Sequence, residues 1–130
     1  MTARLLDTTI VIDLLKGSDN AVEKIRSLQE SGDMLATAAP CLAEVVRGTR
    51  FSGKLEREAA EGLLRQLEVL PVDERSARLA GEIAAETTRR GKEVGLIDCL
   101  IAGVAIVQEA TLVTRDTDFS RIPGLSLETY

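Results

Sequence analysis

The chain has 130 residues, a formal net charge of −5 and no histidine, and only 2% of its residues are aromatic. The lack of histidine excludes imidazole-dependent triads and most zinc sites, and the negative charge argues against a nonspecific nucleic-acid coat. With 45% hydrophobic residues but no apolar run long enough to span a bilayer, we expect one cytoplasmic domain over residues 1–130 and no membrane association.

Short apolar runs alternate with amphipathic segments along the chain. Gly17, Pro40 and Asp73 mark helix boundaries, because glycine often ends a helix, proline suits a first turn and aspartate caps a helix start. In chain order we predict a strand at 3–7, helices at 9–17 and from 18–20 to 28, a strand at 34–37, helices at 40–48 and 55–67, a strand at 68–72, helices at 73–91 and 97–105, and strands at 111–114 and 125–128. Strands separated by helices need crossover connections, so the predicted class is α/β, with a mostly parallel central sheet of four or five strands flanked by helices.

Four acidic side chains, distant in sequence, are predicted to meet at one edge of this sheet. Asp7 ends the first strand and Asp116 follows the strand at 111–114, and ligands of open α/β sheets bind beyond the carboxyl ends of the strands. Glu44 and Asp98 lie in the first turns of helices, where the helix dipole favours negative charge. We therefore expect a cluster of carboxylates at that edge.

Each of these acids also has an ordinary explanation. Asp98 can be a helix cap, Glu44 a solvated helix residue and Asp116 a turn former. The segments CLAEVV and GLIDCLIAGVA favour a functional role instead, because a merely solvated acid is misplaced among apolar neighbours. The other acids in comparable positions are assigned the ordinary role: Asp13, Asp19, Asp33 and Asp73.

Four segments carry a family resemblance: LLDTTIVIDLL, AAPCLAEVVRG, GLIDCLIAGVA and LVTRDTDFSRIPGL. In this order they resemble the four acidic motifs of the PIN-domain family, and specifically of the VapC toxins of bacterial toxin–antitoxin pairs. The resemblance covers nearly the whole chain. It implies a PIN-like three-layer fold, endoribonuclease activity dependent on Mg²⁺ or Mn²⁺, a homodimer, and inhibition by a VapB-type antitoxin.

Carried over by position, the resemblance assigns roles to individual side chains. The acids it assigns to catalysis are Asp7, Glu44, Asp98 and Asp116. All of them except Glu44 are the implied metal ligands. Thr8 and Thr114 supply hydroxyl groups beside the first and fourth acids, and Asp118 is an alternative to Asp116 as a ligand.

The chemistry of the residues is consistent with such a site. Mg²⁺ and Mn²⁺ prefer hard oxygen ligands and usually keep several waters, and a metal-activated water needs no histidine to attack a phosphodiester. Two alternatives stay open. One is a haloacid-dehalogenase-like phosphatase with Asp7 as nucleophile, although Thr9 stands where that family has a second Asp. The other is a catalytically silent interaction module.

Basic side chains flank the second and fourth motifs and are candidates for contact with RNA phosphates: Arg47, Arg50, Lys54, Arg115 and Arg121. Surface salt bridges are their alternative role. The helices over 47–67 combine alternating charges with exposed apolar positions, so they offer a groove for a short amphipathic antitoxin segment. We expect the antitoxin to inhibit by occlusion, with a basic side chain near Asp7 or Asp98.

Overall fold

The computed structural model describes residues 3–130, and its strands form a parallel sheet. The strands are β1 (Ala3–Leu6), β2 (Met34–Ala38), β3 (Glu68–Leu70), β4 (Thr111–Val113) and β5 (Leu127–Glu128). They lie in the order β3-β2-β1-β4-β5, and each neighbouring pair is parallel. The predicted α/β class with a parallel central sheet is confirmed.

Six α-helices and one 3₁₀ helix connect the strands within residues 3–130. They are α1 (Thr8–Leu15), α2 (Asp19–Glu30), α3 (Ala39–Thr49), α4 (Lys54–Leu64), α5 (Glu74–Arg89) and α6 (Leu96–Val107), and the 3₁₀ helix covers Thr117–Arg121. Every predicted helix is present. The 3₁₀ helix was not predicted, because one short turn shows no period in the sequence. None of the helices in the described part of the chain has the length and apolar character needed to cross a membrane.

The predicted helix boundaries at Gly17, Pro40 and Asp73 are confirmed. Gly17 follows α1 with a φ of 74°, a left-handed conformation that glycine adopts without strain. Pro40 lies in the first turn of α3. The Asp73 side chain accepts a hydrogen bond from the Ser76 backbone N–H, and the Ser76 hydroxyl accepts one from the Asp73 N–H, so both ends of a capping box are made.

Several elements end one to three residues earlier than predicted, and α4 and β3 show why. Helix α4 stops at Leu64 rather than at residue 67, because the next backbone N–H groups form tighter bonds to carbonyls three residues back, such as Leu67 to Leu64 at 3.1 Å. Strand β3 stops at Leu70, because Pro71 has no N–H to donate to a ladder.

The two faces of the sheet are covered by separate apolar cores. Leu5 and Leu112 are buried with residues of α5 and α6, whereas Leu6 and Val113 are buried with residues of α1, α2 and α4. Adjacent residues enter different cores because successive side chains of a strand point to opposite faces. The result is the expected three-layer arrangement of helices, sheet and helices.

Helices α5 and α6 approach each other closely at Gly103. A Cβ atom at this position would lie 2.6 Å from the carbonyl oxygen of Ser76 and 3.4 Å from the Cβ of Ala80. The first distance is too short for any real contact with backbone. Gly103 therefore sets the separation of α5 and α6, and with it the position of the N-terminal end of α6.

Strands β1 and β4 end side by side. The register pairs Leu6 with Val113, and the Asp7 N–H donates to the Val113 carbonyl oxygen at 3.1 Å. On the other side of β1, the hydroxyl of Thr37 in β2 donates to the Leu6 carbonyl at 2.8 Å. Asp7 and Thr114 consequently leave the sheet at the same edge.

Candidate active site

Asp7 is a carboxylate buried at the end of β1, with 3% of its surface exposed. It occupies the N-cap position of α1, yet its side chain makes no capping hydrogen bond. Its Oδ2 atom instead accepts hydrogen bonds from the hydroxyl groups of Thr114 at 2.7 Å and Thr9 at 3.2 Å. Helix capping therefore does not explain Asp7.

Burial raises the pKa of Asp7, and the hydrogen bond from Thr114 acts in the opposite direction. The Cys41 Sγ atom lies 4.0 Å from Asp7 Oδ1. Burial, with a further contribution from the charge on Asp7, raises the pKa of Cys41 to about 11. The group beneath Asp7 is therefore a neutral thiol at physiological pH.

Glu44 is half-buried on α3 and is oriented by a residue of α1. The hydroxyl of Thr8 donates to Glu44 Oε1 at 2.7 Å. Thr8 was predicted to support Asp7, but Thr9 has that contact instead. The reason is helical geometry, since successive side chains on a helix point about 100° apart. Thr8 and Thr9 thus serve two different acids.

Asp116 and Asp118 lie in the loop and the 3₁₀ helix that follow β4. The Thr114 hydroxyl, which donates to Asp7, also accepts a hydrogen bond from the Asp116 N–H at 3.0 Å. Asp116 Oδ1 accepts from the Asp118 N–H at 2.9 Å, and Asp118 Oδ1 lies 3.5 Å from a guanidinium nitrogen of Arg121. Thr114 therefore links the first and fourth acidic motifs directly.

Asp98 is half-buried in the first turn of α6. Burial is the main reason that its pKa is raised to about 6, and repulsion from Asp7, Asp116, Glu44 and Asp118 adds to this in decreasing order. Asp98 is thus close enough to each of the other three predicted acids for their charges to act on it. Asp116 acts on Asp98 more strongly than Asp118 does, which favours Asp116 as the fourth member of the cluster.

The cluster offers the hard oxygen atoms that Mg²⁺ and Mn²⁺ prefer. Within residues 3–130, however, no three Asp, Glu or Cys side chains are placed so that together they could hold one metal ion. The predicted set of Asp7, Asp98 and Asp116 is thus not arranged to hold one ion by direct contact of all three side chains. Mg²⁺ is commonly bound by one or two carboxylates while it keeps several waters, so the donor set fits an ion that some of these acids reach through water.

The predicted RNA contacts have different surroundings. Arg47 and Arg50 are exposed at the C-terminal end of α3. Lys54 is also exposed and lies 3.9 Å from an acid one turn further along α4. Arg115 and Arg121 are both engaged in ion pairs, at 2.6 Å and 3.5 Å from a carboxylate oxygen. Arg47 and Arg50 are therefore better suited than Arg115 to meet a phosphate.

Sequence reasoning missed three side chains near the site: Thr9, Asp13 and Tyr130. The Asp13 carboxylate accepts hydrogen bonds from Arg115 and from the Tyr130 hydroxyl. A signal for Asp13 was present, because it lies in the apolar run IVIDLL. The same argument had singled out Glu44 and Asp98. Tyr130 carries no comparable signal.

Comparison with known proteins shows similarity over the residues that carry the acids. The sequence profile of the PIN domain matches residues 4–125, a range that contains all four acids. The chain is 33% identical to the tRNA(fMet)-specific endonuclease VapC of Shigella flexneri over 129 residues, covering 97% of this chain and 96% of that protein. It is 30% identical to ribonuclease VapC2 of Rickettsia felis, again over 97% of this chain and 96% of the relative.

Solved structures match the chain over nearly its whole length. The crystal structure of VapBC2 from Rickettsia felis, bound to a DNA fragment from its promoter, contains a chain that matches with a TM-score of 0.90 and 29% identity, covering 99% of both chains. The DNA-bound VapBC structure from Salmonella typhimurium matches with a TM-score of 0.87 and 31% identity, covering 99% of this chain and 98% of that one. The similarity therefore includes every element that carries an acid of the cluster.

Proposed function

Since the chain belongs to the PIN-domain family, we propose that it is the endoribonuclease toxin of a VapBC-type toxin–antitoxin pair. The observation that carries this proposal is the convergence of Asp7, Glu44, Asp98 and Asp116 at one sheet edge in a chain without histidine. Thr114 bonds both Asp7 and the Asp116 N–H, Thr8 beside Asp7 bonds Glu44, and Asp98 lies within reach of their charges. Relatives that match nearly the whole chain are named as ribonucleases or endonucleases. The phosphatase and interaction-module alternatives gain no support from these relatives.

The charge of the cluster supports a requirement for a divalent cation. An RNA phosphate that approached the acids alone would meet several like charges, which is unfavourable even at a high effective dielectric constant. Bound Mg²⁺ or Mn²⁺ would offset this repulsion and make a coordinated water more acidic. We assign Asp98 and Asp116 to holding the cation, with Asp7 as a further ligand, directly or through water.

The remaining residues of the cluster position these acids or move a proton. Hydrolysis adds water across a P–O bond of the RNA backbone, so one group must accept a proton from the attacking water. We assign this step to Glu44, whose Oε1 atom is oriented by the Thr8 hydroxyl. Thr114 and Thr9 hold the Asp7 carboxylate in one orientation through its Oδ2 atom.

We propose RNA as the substrate, acted on in the cytoplasm, and transfer RNA as the first class to test. The Shigella relative is named as specific for tRNA(fMet). Arg47 and Arg50 follow Glu44 on the same helix and are exposed, which suits contact with phosphates beside the cleaved bond. A homodimer remains a prediction from the family resemblance. Measuring the mass of the purified protein in solution tests it directly.

The test of the proposed function is an assay of the purified chain with total tRNA and with an unstructured RNA. We expect discrete cleavage products in Mg²⁺ or Mn²⁺, none after thorough chelation, and recovery when the metal is restored. Cleavage that persists after chelation would contradict the metal-dependent mechanism. A failure to cut any RNA in either metal would contradict the nuclease function itself.

A groove beside the site supports the antitoxin as partner. It lies between α1, α3 and α4, has a volume of about 510 Å³, and is lined mainly by apolar or small residues, among them Ile12, Leu15, Val45, Gly48, Leu55 and Ala59. Leu55 is 78% exposed, and Phe51, in the turn before α4, is 90% exposed. The groove is bounded by α1, which begins after Asp7, and by α3, which carries Glu44, so an apolar antitoxin segment in the groove can extend a basic side chain toward the acids.

Leu55→Asp is expected to weaken antitoxin binding by at least about ten-fold, because it places a charge at a central apolar contact. Cleavage by the free toxin should stay at the wild-type level, since Leu55 is exposed and lies outside the acid cluster. The measurement is a titration of nuclease activity with the cognate antitoxin. Ser27→Asp, which adds the same charge on the exposed side of α2, is the matched control. Equal inhibition of both variants would assign the antitoxin to another surface.

A further inference from the structure

The Asp13 carboxylate lies at the centre of a side-chain network close to the acid cluster. Its Oδ2 atom accepts hydrogen bonds from Arg115 Nε at 2.6 Å and from the Tyr130 hydroxyl at 2.6 Å. Its Oδ1 atom accepts from Arg115 Nη2 at 3.3 Å, so the guanidinium is held in a two-point contact. The Asp13 side chain is 15% exposed and that of Arg115 is 58% exposed, so the contact rests on its two-point geometry and not on burial.

The network joins three separate parts of the chain. Asp13 is on α1, which begins directly after Asp7. Arg115 stands between Thr114, which donates to Asp7, and Asp116. Tyr130 follows β5 and packs against the apolar core beneath α1. The contacts therefore connect the helix behind the first acid with the loop that carries the fourth.

This loop has little other support from the sheet. β4 has three residues and β5 has two, so the ladder at this edge is short. Beyond β4, the Thr114 N–H still donates to the Glu128 carbonyl at 3.0 Å, after which the backbone leaves the sheet. Phe119 and Ile122, buried in the core, anchor the segment beyond Asp116, and side-chain bonds then set the position of Asp116 itself relative to Asp7 and Asp98. A two-point contact from Arg115, the residue directly before Asp116, supplies such a bond.

We propose that Asp13, Arg115 and Tyr130 form a clamp that positions Thr114 and Asp116 against Asp7. The three residues of the clamp are thus positioning residues for RNA cleavage. This inference depends on the proposed nuclease function. It assigns Arg115 to a contact within the protein, because two of its guanidinium N–H groups donate to Asp13, while its contact with a phosphate stays a prediction.

Two conservative variants separate the clamp from RNA binding. Tyr130→Phe removes one hydroxyl and keeps the ring in the core. Arg115→Lys keeps the positive charge that a phosphate would need but loses the planar two-point geometry. The clamp predicts that each variant lowers kcat by about ten-fold with KM for RNA nearly unchanged, because the acids are displaced while the RNA surface is intact.

A second readout needs no RNA. Titration of the metal-free protein with Mn²⁺ alone, followed by calorimetry, should show several-fold weaker binding in both variants than in the wild type. Arg78→Lys is the matched control, because Arg78 forms an exposed pair with Glu74 at 3.0 Å on α5, away from the acids. It should change neither kcat nor the affinity for Mn²⁺.

Three results would overturn the clamp. One is wild-type kcat and Mn²⁺ affinity in both variants. Another is a higher KM with unchanged kcat in Arg115→Lys, which would return Arg115 to RNA binding. The third is a lower melting temperature as the sole change, which would make the contacts purely structural. A wild-type protein that cuts no RNA would instead defeat the proposed function, and the Mn²⁺ titration would still test the clamp.

Discussion

Asp98→Asn is expected to lower RNA cleavage by roughly 100-fold or more, because the amide no longer supplies the charge that holds a divalent cation. Besides burial, the negative charges of four neighbouring acids, two in the predicted set on other elements and two after β4, raise the pKa of Asp98. The substitution keeps the size of the side chain and its capacity to accept a hydrogen bond. The lost activity should therefore appear in a folded protein, as judged by its circular dichroism.

Mg²⁺ should stabilise Asp98→Asn less than it stabilises the wild type. Removing one of several like charges relieves repulsion, so the metal-free variant should be at least as stable as the metal-free wild type. The wild type should gain more stability from Mg²⁺, because stabilisation by a ligand increases with the affinity of the native state. Chemical denaturation with and without Mg²⁺ measures both effects.

The matched control for this experiment is Glu82→Gln, which removes a negative charge from the exposed surface of α5. It should leave cleavage and the stabilisation by Mg²⁺ unchanged. If Asp98→Asn cuts RNA like the wild type, the acid cluster is not the catalytic centre. If it loses activity but gains as much stability from Mg²⁺ as the wild type, Asp98 acts without binding the metal.

Cleavage at limiting Mg²⁺ should rise steeply with pH up to about 6 and then level off, because the pKa of Asp98 is raised to about 6. Below that pH a proton would occupy the carboxylate that we propose holds the cation. The gain should approach about ten-fold for each pH unit below the pKa, and saturating Mg²⁺ should move the rise to lower pH. Initial rates at several fixed concentrations of Mg²⁺ check this.

The free energy of unfolding of the metal-free protein should fall as the pH rises, whereas the rate of cleavage increases. The pKa of Asp98 rises from 3.8 to about 6 on folding, so the native state binds the proton more tightly than the unfolded state. The resulting stabilisation is present below the unfolded value and is lost as the pH rises through about 6. Burial of Asp7 acts in the same direction.

Asp7 adds to this dependence, whereas the acids with a lowered pKa do not obscure it. Hydrogen bonds lower the pKa of Asp13 and Asp73, so their contribution has the opposite sign and falls at a more acidic pH. Asp98→Asn should remove much of the loss of stability between about pH 4 and 6. An unchanged denaturation profile in this variant would show that Asp98 titrates normally in the native state.

Much of the fold could be predicted because local signals agree with the tertiary structure. Gly17, Pro40 and Asp73 stand at helix boundaries for reasons that operate within one turn of the chain. The strands were found as apolar runs, and their separation by helices requires a parallel sheet. The 3₁₀ helix at Thr117–Arg121 was missed because one short turn shows no period in the sequence, although its Asp116 cap is a local signal like that of Asp73.

The candidate site was predictable in its acids but not in their supports. Glu44 and Asp98 stood out because each lies among apolar residues, and the family resemblance drawn from the four acidic segments is confirmed. Pairings such as Thr8 with Glu44 join residues far apart in sequence, and no local pattern encodes them. The catalytic and metal-binding roles of the acids, and the contacts of Arg47 and Arg50 with RNA, stay predictions.

The close approach at Gly103 makes the chemistry sensitive to a position that touches none of the acids. Asp98 lies on the same helix, about 7.5 Å along its axis from Gly103, and a helix transmits displacement over such a length with little bending. Asp7 and Asp116 are attached to the sheet instead. A methyl group at residue 103 would push α6 away from Ser76 and so change the spacing between Asp98 and the acids that follow the strands. A side chain at this position is therefore expected to disturb the spacing of the acids as well as the packing of α5 on α6.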